Sequence, residues 1–226
     1  MRFLSFEGLD GSGKSTLIAG LKTELERRSM TVRVTREPGG TPLAEEIRSL
    51  ILRNPGSQLE TPESATEILL YEASRAQHVA KVIRPSLALG EWVLCDRYSE
   101  STVAFQCFAR GLDRVEVDRL NRFAEQGLRP ELVVLLDLPV TASRARQNRR
   151  ASEDASQSLD RIEQEADDFH ERVRKGFLAQ VKEDPARWFV LDAQLSATEL
   201  LQRTLAELEK RGWLGGQKPN EKRDHK

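Results

Sequence analysis

The chain has 226 residues, of which 38% are hydrophobic and 31% charged, enough apolar material for one sizeable core. Its 35 basic and 36 acidic residues leave a formal net charge of −1, which speaks against a nucleic-acid-wrapping or membrane-surface protein. No run approaches about 18 apolar residues, and the start enters a strand-like segment without a signal-peptide pattern, so a cytoplasmic chain is expected.

In chain order, the apolar run Phe3 to Phe6 reads as a strand and leads into a glycine-rich loop over 8–16. Leu17, Leu21 and Leu25 follow at helical spacing. Val32 to Thr35 is a second strand, and Leu43, Ile47, Leu50 and Ile51 form a helical stripe. Trp92 to Cys95 and Leu132 to Leu136 are the next two strands. Residues 147–158 (QNRRASEDASQS) carry almost nothing apolar and read as a mobile surface loop. A stripe of Ile162, Ala166, Phe169, Val173 and Phe177 precedes the fifth strand, Trp188 to Leu191, and Leu200, Leu201, Leu205 and Leu208 give the last helix. The strands are continuous apolar runs, as in a parallel sheet covered on both faces. Their alternation with helices predicts a doubly wound α/β layer with right-handed crossovers. Residues 215–226 are Gly, Pro and charge, and read as a disordered tail.

Two cysteines, Cys95 and Cys107, are too few for a zinc knuckle or a disulfide framework, and Cys95 sits in an apolar run as a buried inert thiol would. His78, His170 and His225 have no ligand spacing.

The most specific signal is Gly8-Leu9-Asp10-Gly11-Ser12-Gly13-Lys14-Ser15, a G-x-x-x-x-G-K-S loop between a strand and a helix. Glycines let the backbone curl so that N–H groups point at phosphate oxygens, and the following helix turns its positive end to the same anion. Lys14 can reach the β- and γ-phosphates, and the Ser15 hydroxyl can ligate Mg²⁺. Such loops serve GTPase switches, motors and small-molecule kinases alike. An N-K-x-D guanine reader is absent from the sequence, and Asp137 is followed by Leu138 rather than a second carboxylate. Both facts disfavour switch and motor.

The third strand ends instead in Asp96-Arg97, at the sheet edge where ligands bind. There Asp96 can organise a metal's water shell and Arg97 can grip a second phosphate; a plain surface ion pair is the other reading. Arg144, Arg146, Arg149 and Arg150 are either a solvated basic face or a flap that neutralises charge on a transferring phosphoryl group.

Taken together, FEGLDGSGKST (6–16), TREPGGTPLAEEIR (35–48), LLYEASRAQH (69–78), DRYSESTVAFQ (96–106) and LDRIEQE (159–165) resemble the thymidylate kinases over about residues 1–210. The resemblance implies a three-layer P-loop NTPase fold with five parallel strands ordered 2-3-1-4-5. It also implies one kinase domain over 1–213 with a flap at about 141–160, and a homodimer through helices near 62–89 and 115–127. The reaction implied is ATP + dTMP to ADP + dTDP with Mg²⁺, held by Ser15 and Asp96. Residues 8–16 (Gly8, Leu9, Asp10, Gly11, Ser12, Gly13, Lys14, Ser15 and Thr16) would hold ATP.

By the same resemblance Tyr71 stacks on thymine, Arg75 donates to its O4, and Thr102 bonds its N3. Phe105 packs beneath the deoxyribose, and Arg48 and Arg97 hold the dTMP phosphate. Asp10, Glu37, Ser101 and Gln106 complete the dTMP set. The family has two arrangements of its catalytic arginine, in the P-loop or in the flap. Gly11 in the loop and an arginine-rich flap look like the second, bacterial type, with Arg149 or Arg150 as the working residue. Asp10, Lys14, Arg97, Arg149 and Arg150 are thus the catalytic candidates.

This sequence departs from the family pattern in three places. Tyr71 stands where Phe is usual, Cys107-Phe108-Ala109 replaces a glycine-rich turn, and about eight extra residues (ASEDASQS) precede LDRIE. Two rivals remain, another nucleotide or nucleoside kinase and a nucleotide sensor without turnover. Tyr71, Arg75 and Thr102 favour thymine over the first, and intact Lys14, Ser15 and Asp96 oppose the second.

Overall fold

A computed structural model describes residues 2–54, 60–153 and 159–214. Five parallel strands, β1 (Arg2–Glu7), β2 (Val32–Arg36), β3 (Trp92–Asp96), β4 (Leu132–Asp137) and β5 (Trp188–Asp192), lie in the order β2-β3-β1-β4-β5. This is the P-loop NTPase order. Phe6 pairs with Asp96 on one side and Val134 on the other. The carboxyl ends of the three central strands therefore coincide, and the loop after β1 emerges between those after β3 and β4.

The helices are α1 (Lys14–Arg27), α2 (Pro42–Leu52), α3 (Ser64–His78), α4 (Arg84–Ala88), α5 (Ser99–Thr102), α6 (Arg114–Glu125), α7 (Val140–Glu153), α8 (Asp167–Glu183) and α9 (Ala197–Lys210). A π-turn over Val79–Ile83 joins α3 to α4, and another over Val103–Ala109 continues α5. Side chains alternate across each strand. Leu4, Phe6, Leu94 and Val134 pack with Leu17, Leu21, Leu25, Leu200 and Leu208 from α1 and α9. On the opposite face Val133 and Leu135 meet Phe169, Val173 and Phe177 of α8, while Phe3, Val93 and Cys95 meet Val79 and Ile83. Cys95 is fully buried, as expected.

Helix starts follow capping rules. Thr41 accepts from Ala44 N–H ahead of Pro42, Asp113 accepts from Glu116 N–H, and Ser196 forms a reciprocal capping box with Glu199. The start of α1 differs: its cap is Gly13 in a left-handed conformation with no side-chain acceptor. Its first N–H groups are left to whatever lies ahead of the helix.

Three expectations need correction. The polar stretch at 147–153 is not a loop but the last turns of α7, while 154–158 lie outside the described residues. Gln147 explains the helix: it is buried because its amide donates to the backbone oxygen of Asp10 at 3.3 Å and to Ser143 Oγ at 3.0 Å. In the stripe on α2 only Ile51 is buried, and Leu43 and Leu50 are exposed. Finally, Ile162 and Ala166 precede α8 rather than belonging to it. The tail at 215–226 also lies outside the described residues. Among the described residues no helix is long and apolar enough to cross a membrane.

Candidate active site

The loop after β1 depends on its glycines. Gly8, Gly11 and Gly13 have φ of 133°, 77° and 98°. A Cβ on Gly8 would lie 2.4 Å from the Leu136 backbone oxygen, and one on Gly11 would lie 3.2 Å from Arg146 Cβ. Side chains other than hydrogen are thus excluded at Gly8 by β4 and crowded at Gly11 by α7. Leu9 turns its side chain into the core and offers a ligand only backbone. Ser12 is buried, and its hydroxyl has no partner among the described residues, whereas Ser15 and Thr16 are exposed at the start of α1. The result is a concave row of N–H donors at a helix N-terminus, an anion cradle.

Lys14 is buried in this cradle, its ammonium donating to the backbone oxygens of Gly8 and Leu9, each at 3.1 Å. Burial and the Arg97 guanidinium pull its pKa down, against Asp96, Asp10 and Glu7. Ser15 Oγ lies 3.4 Å from Asp96 Oδ2, while Asp96 Oδ1 is buried with no partner among the described residues. An orphaned carboxylate oxygen beside a hydroxyl, at the mouth of an anion cradle, fits a hard divalent cation with oxygen ligands.

Beside the cradle, at the carboxyl ends of β1, β2 and β3, lies a concave pocket lined by polar and aromatic side chains. All ten residues assigned from sequence to the acceptor nucleotide line it: Asp10, Glu37, Arg48, Tyr71, Arg75, Arg97, Ser101, Thr102, Phe105 and Gln106. Pro38, Leu52, Tyr98, Asp160 and Ile162 also line it and were not singled out. For Asp160 and Ile162 the signal was present in LDRIEQE, for Tyr98 in DRYSESTVAFQ and for Pro38 in TREPGGTPLAEEIR; Leu52 lies in no such motif.

The polar ends of the pocket differ. At the cradle end, Arg97 donates to Asp10 Oδ1 at 2.8 Å and to Ser101 Oγ at 3.2 Å, with its guanidinium 5.4 Å from the Phe105 ring. Burial opposes ionisation of Asp10, but Arg97 and Lys14 hold its carboxyl below the usual carboxylate range. Arg48 donates to the Pro38 carbonyl at 3.1 Å.

At the far end Arg75 is buried and commits four of its N–H donors. Nε donates to Glu37 at 2.8 Å, Nη1 to Glu72 at 2.6 Å and Asn121 at 2.8 Å, and Nη2 to Thr102 at 2.9 Å. A guanidinium has five N–H donors, so one hydrogen on Nη2 is left over. Glu37 is in turn held by His78 Nδ1 at 2.9 Å. Gln106 turns its amide to Glu67 at 2.8 Å, a carboxylate shared with Arg161. Burial raises the pKa of the Tyr71 phenol, which stays neutral.

A sequence model of thymidylate kinases matches residues 6–204. The chain belongs to the thymidylate kinase family. A thymidylate kinase of Bdellovibrio bacteriovorus is 52% identical over 211 residues, 93% of this chain and 97% of the relative. One from Trichlorobacter lovleyi is 43% identical over 198 residues (88% and 92%), and one from Chromohalobacter salexigens 45% over 205 (91% and 93%).

The arginines of α7 in this thymidylate kinase family member go to four different places. Arg144 donates to Asp167 at 2.7 Å and to the backbone oxygens of Glu163 and Glu165. Arg146 joins the Gly11 oxygen at 3.1 Å to the Ala193 oxygen at 2.9 Å, tying the cradle to the loop after β5. Arg149 is exposed and sits 3.7 Å from Glu153. Arg150 donates to Glu163 at 2.6 Å, and Asp10 and Asp160 both act on its charge. Of the two candidates from sequence, Arg150 faces the site and Arg149 faces away.

Proposed function

We propose that this chain transfers the γ-phosphoryl group of ATP to dTMP, giving ADP and dTDP. The observation that carries this reading is the convergence of ten acceptor-assigned residues on one pocket that opens onto the cradle.

Residues 8–16 would hold the triphosphate of ATP, with Lys14 exchanging the Gly8 and Leu9 carbonyls for phosphate oxygens. Ser15 and Asp96 would hold Mg²⁺, which supplies neutralisation of charge on the transferring group. The acceptor phosphate lies between Arg48 and Arg97, replacing Asp10 as the anion that Arg97 grips. Planar guanidinium donors suit a phosphate better than a point charge does. The spare Nη2 hydrogen of Arg75 meets the base oxygen, Thr102 bonds the base edge, Tyr71 covers its face, and Phe105 underlies the sugar. A phosphate oxygen is already nucleophilic at neutral pH, so the residues have to position and neutralise rather than abstract a proton. Arg150 leaves Glu163 for the phosphoryl group as charge develops there.

The reading extends to a cytoplasmic homodimer. Exposed Leu69 and Leu89 near α3 and α4, and Val115 and Phe123 on α6, support that pairing face. The test is ADP release from ATP and Mg²⁺ with a panel of nucleoside monophosphates. dTMP should be the preferred acceptor; ADP release without acceptor dependence, or a preference for AMP or dCMP, refutes the reading.

A further inference from the structure

Glu7 is the last residue of β1, directly before Gly8, and its side chain is fully buried. Both of its oxygens reach across to the turn after β3. Oε1 accepts from the Tyr98 N–H at 2.8 Å, and Oε2 lies 2.5 Å from Ser101 Oγ. Ser101 Oγ also accepts from Arg97 Nη1 at 3.2 Å. Between these contacts Arg97 has φ of 68°, in the left-handed region that a residue with a long side chain avoids. Such a conformation persists only where neighbours impose it. Here the Arg97 N–H donates to the Phe6 oxygen at 3.0 Å, and Glu7 fixes Tyr98, the next residue, and Ser101 within α5.

We propose that Glu7 is a positioning residue that joins the two nucleotide sites, its carboxyl group aiming Arg97 at the acceptor phosphate from the strand that carries the donor cradle. The proposal rests on the phosphoryl-transfer reading above. Glu7 touches neither nucleotide; it acts through Ser101 and the Arg97 turn.

The protonation state of Glu7 matters to this role. Burial and the buried Glu100 carboxylate of α5 push its pKa up to about 8, against Ser101, Arg97 and the Tyr98 N–H. Lys14 from the start of α1 and Cys95 from β3 also face it. Protonated, Glu7 donates to Ser101 Oγ and leaves the Arg97 charge to the acceptor. Ionised, it takes the Ser101 hydrogen and adds a second anion beneath Arg97, which then competes with the phosphate for that guanidinium.

The test is steady-state kinetics for both substrates from about pH 7 to about pH 9 with wild type, Glu7→Ala and Glu7→Gln. Glu7→Ala should raise KM for the acceptor about tenfold while KM for ATP stays within about twofold. Glu7→Gln keeps an acceptor for Tyr98 and a donor for Ser101, so it should rescue acceptor KM. In wild type acceptor KM rises with pH, and in Glu7→Gln the part of that rise owed to residue 7 should be absent. Titration of the acceptor itself would appear in both proteins. Equal losses for both substrates in Glu7→Ala, or the same pH curve in Glu7→Gln as in wild type, overturns the proposal. If Glu7→Ala fails to fold, the Glu7→Gln profile decides alone. Wild type without dTMP turnover would instead refute the underlying function.

Discussion

Removing Arg75 should cost both folding and base recognition. Arg75→Ala strands Glu37 and Glu72, whose side chains are only 4% and 7% exposed, as buried carboxylates without their cation. Breaking a buried ion pair from one side costs about 3–5 kcal/mol. His78 still donates to Glu37 at 2.9 Å, which places the loss toward the lower end. In a domain of this size about 1 kcal/mol shifts Tm by about 2–4 °C, so a drop of roughly 6–12 °C is expected by differential scanning fluorimetry. Arg75→Lys keeps the charge but cannot serve four partners in a planar fork, so it should recover part of the Tm and little of the base recognition. In kinetics below the new Tm, KM for dTMP should rise at least about tenfold with KM for ATP near wild type. A Tm within about 2 °C of wild type would refute the buried-network argument. Equal losses for dTMP and ATP would refute the assignment of Arg75 to the base.

The α7 geometry predicts that Arg150→Ala lowers kcat about 10²–10³-fold, whereas Arg149→Ala changes it little; comparable losses would mean that the helix turns over on ligand binding. Gly8→Ala should abolish ATP binding by calorimetry, because its Cβ would meet the Leu136 carbonyl, and retained binding would show that the loop can shift away. The raised pKa of Glu7 also has a sign for stability. The folded state holds a proton that the unfolded chain releases above its ordinary pKa of 4.5, so stability should fall as pH rises from there to about 8. Tm measured across that range should decline in wild type and less in Glu7→Gln.

The strands and the cradle were legible because both follow local rules. β1, β3 and β4 are covered on both faces and spell continuous apolar runs, and the glycine spacing of 8–13 is dictated by phosphate geometry. The strand order and the ten pocket residues came from motif resemblance, since no periodicity reveals which strand ends meet. What stayed hidden depends on long-range polar pairing. Asn121 lies 46 positions from Arg75 and reads as one more polar residue on α6, yet it fills a donor of the base-reading guanidinium. Residues 147–153 are polar and lack an apolar stripe, which suggested a loop, but Ser143, Arg146 and Gln147 bond backbone oxygens of the cradle and hold α7 against it. Arg149 and Arg150 are adjacent in sequence and could not be told apart; a helix turns neighbours about 100° from each other, and only Glu163 shows which one faces inward.

The most direct test of the central claim is a crystal structure with dTMP and a non-hydrolysable ATP analogue. The account predicts the dTMP phosphate between Arg48 and Arg97 and its base against Tyr71 and Arg75, with the analogue's γ-phosphate in the cradle of residues 8–16. A monophosphate bound outside this pocket, or seated with its base toward Arg97 and its phosphate toward Arg75, would contradict it.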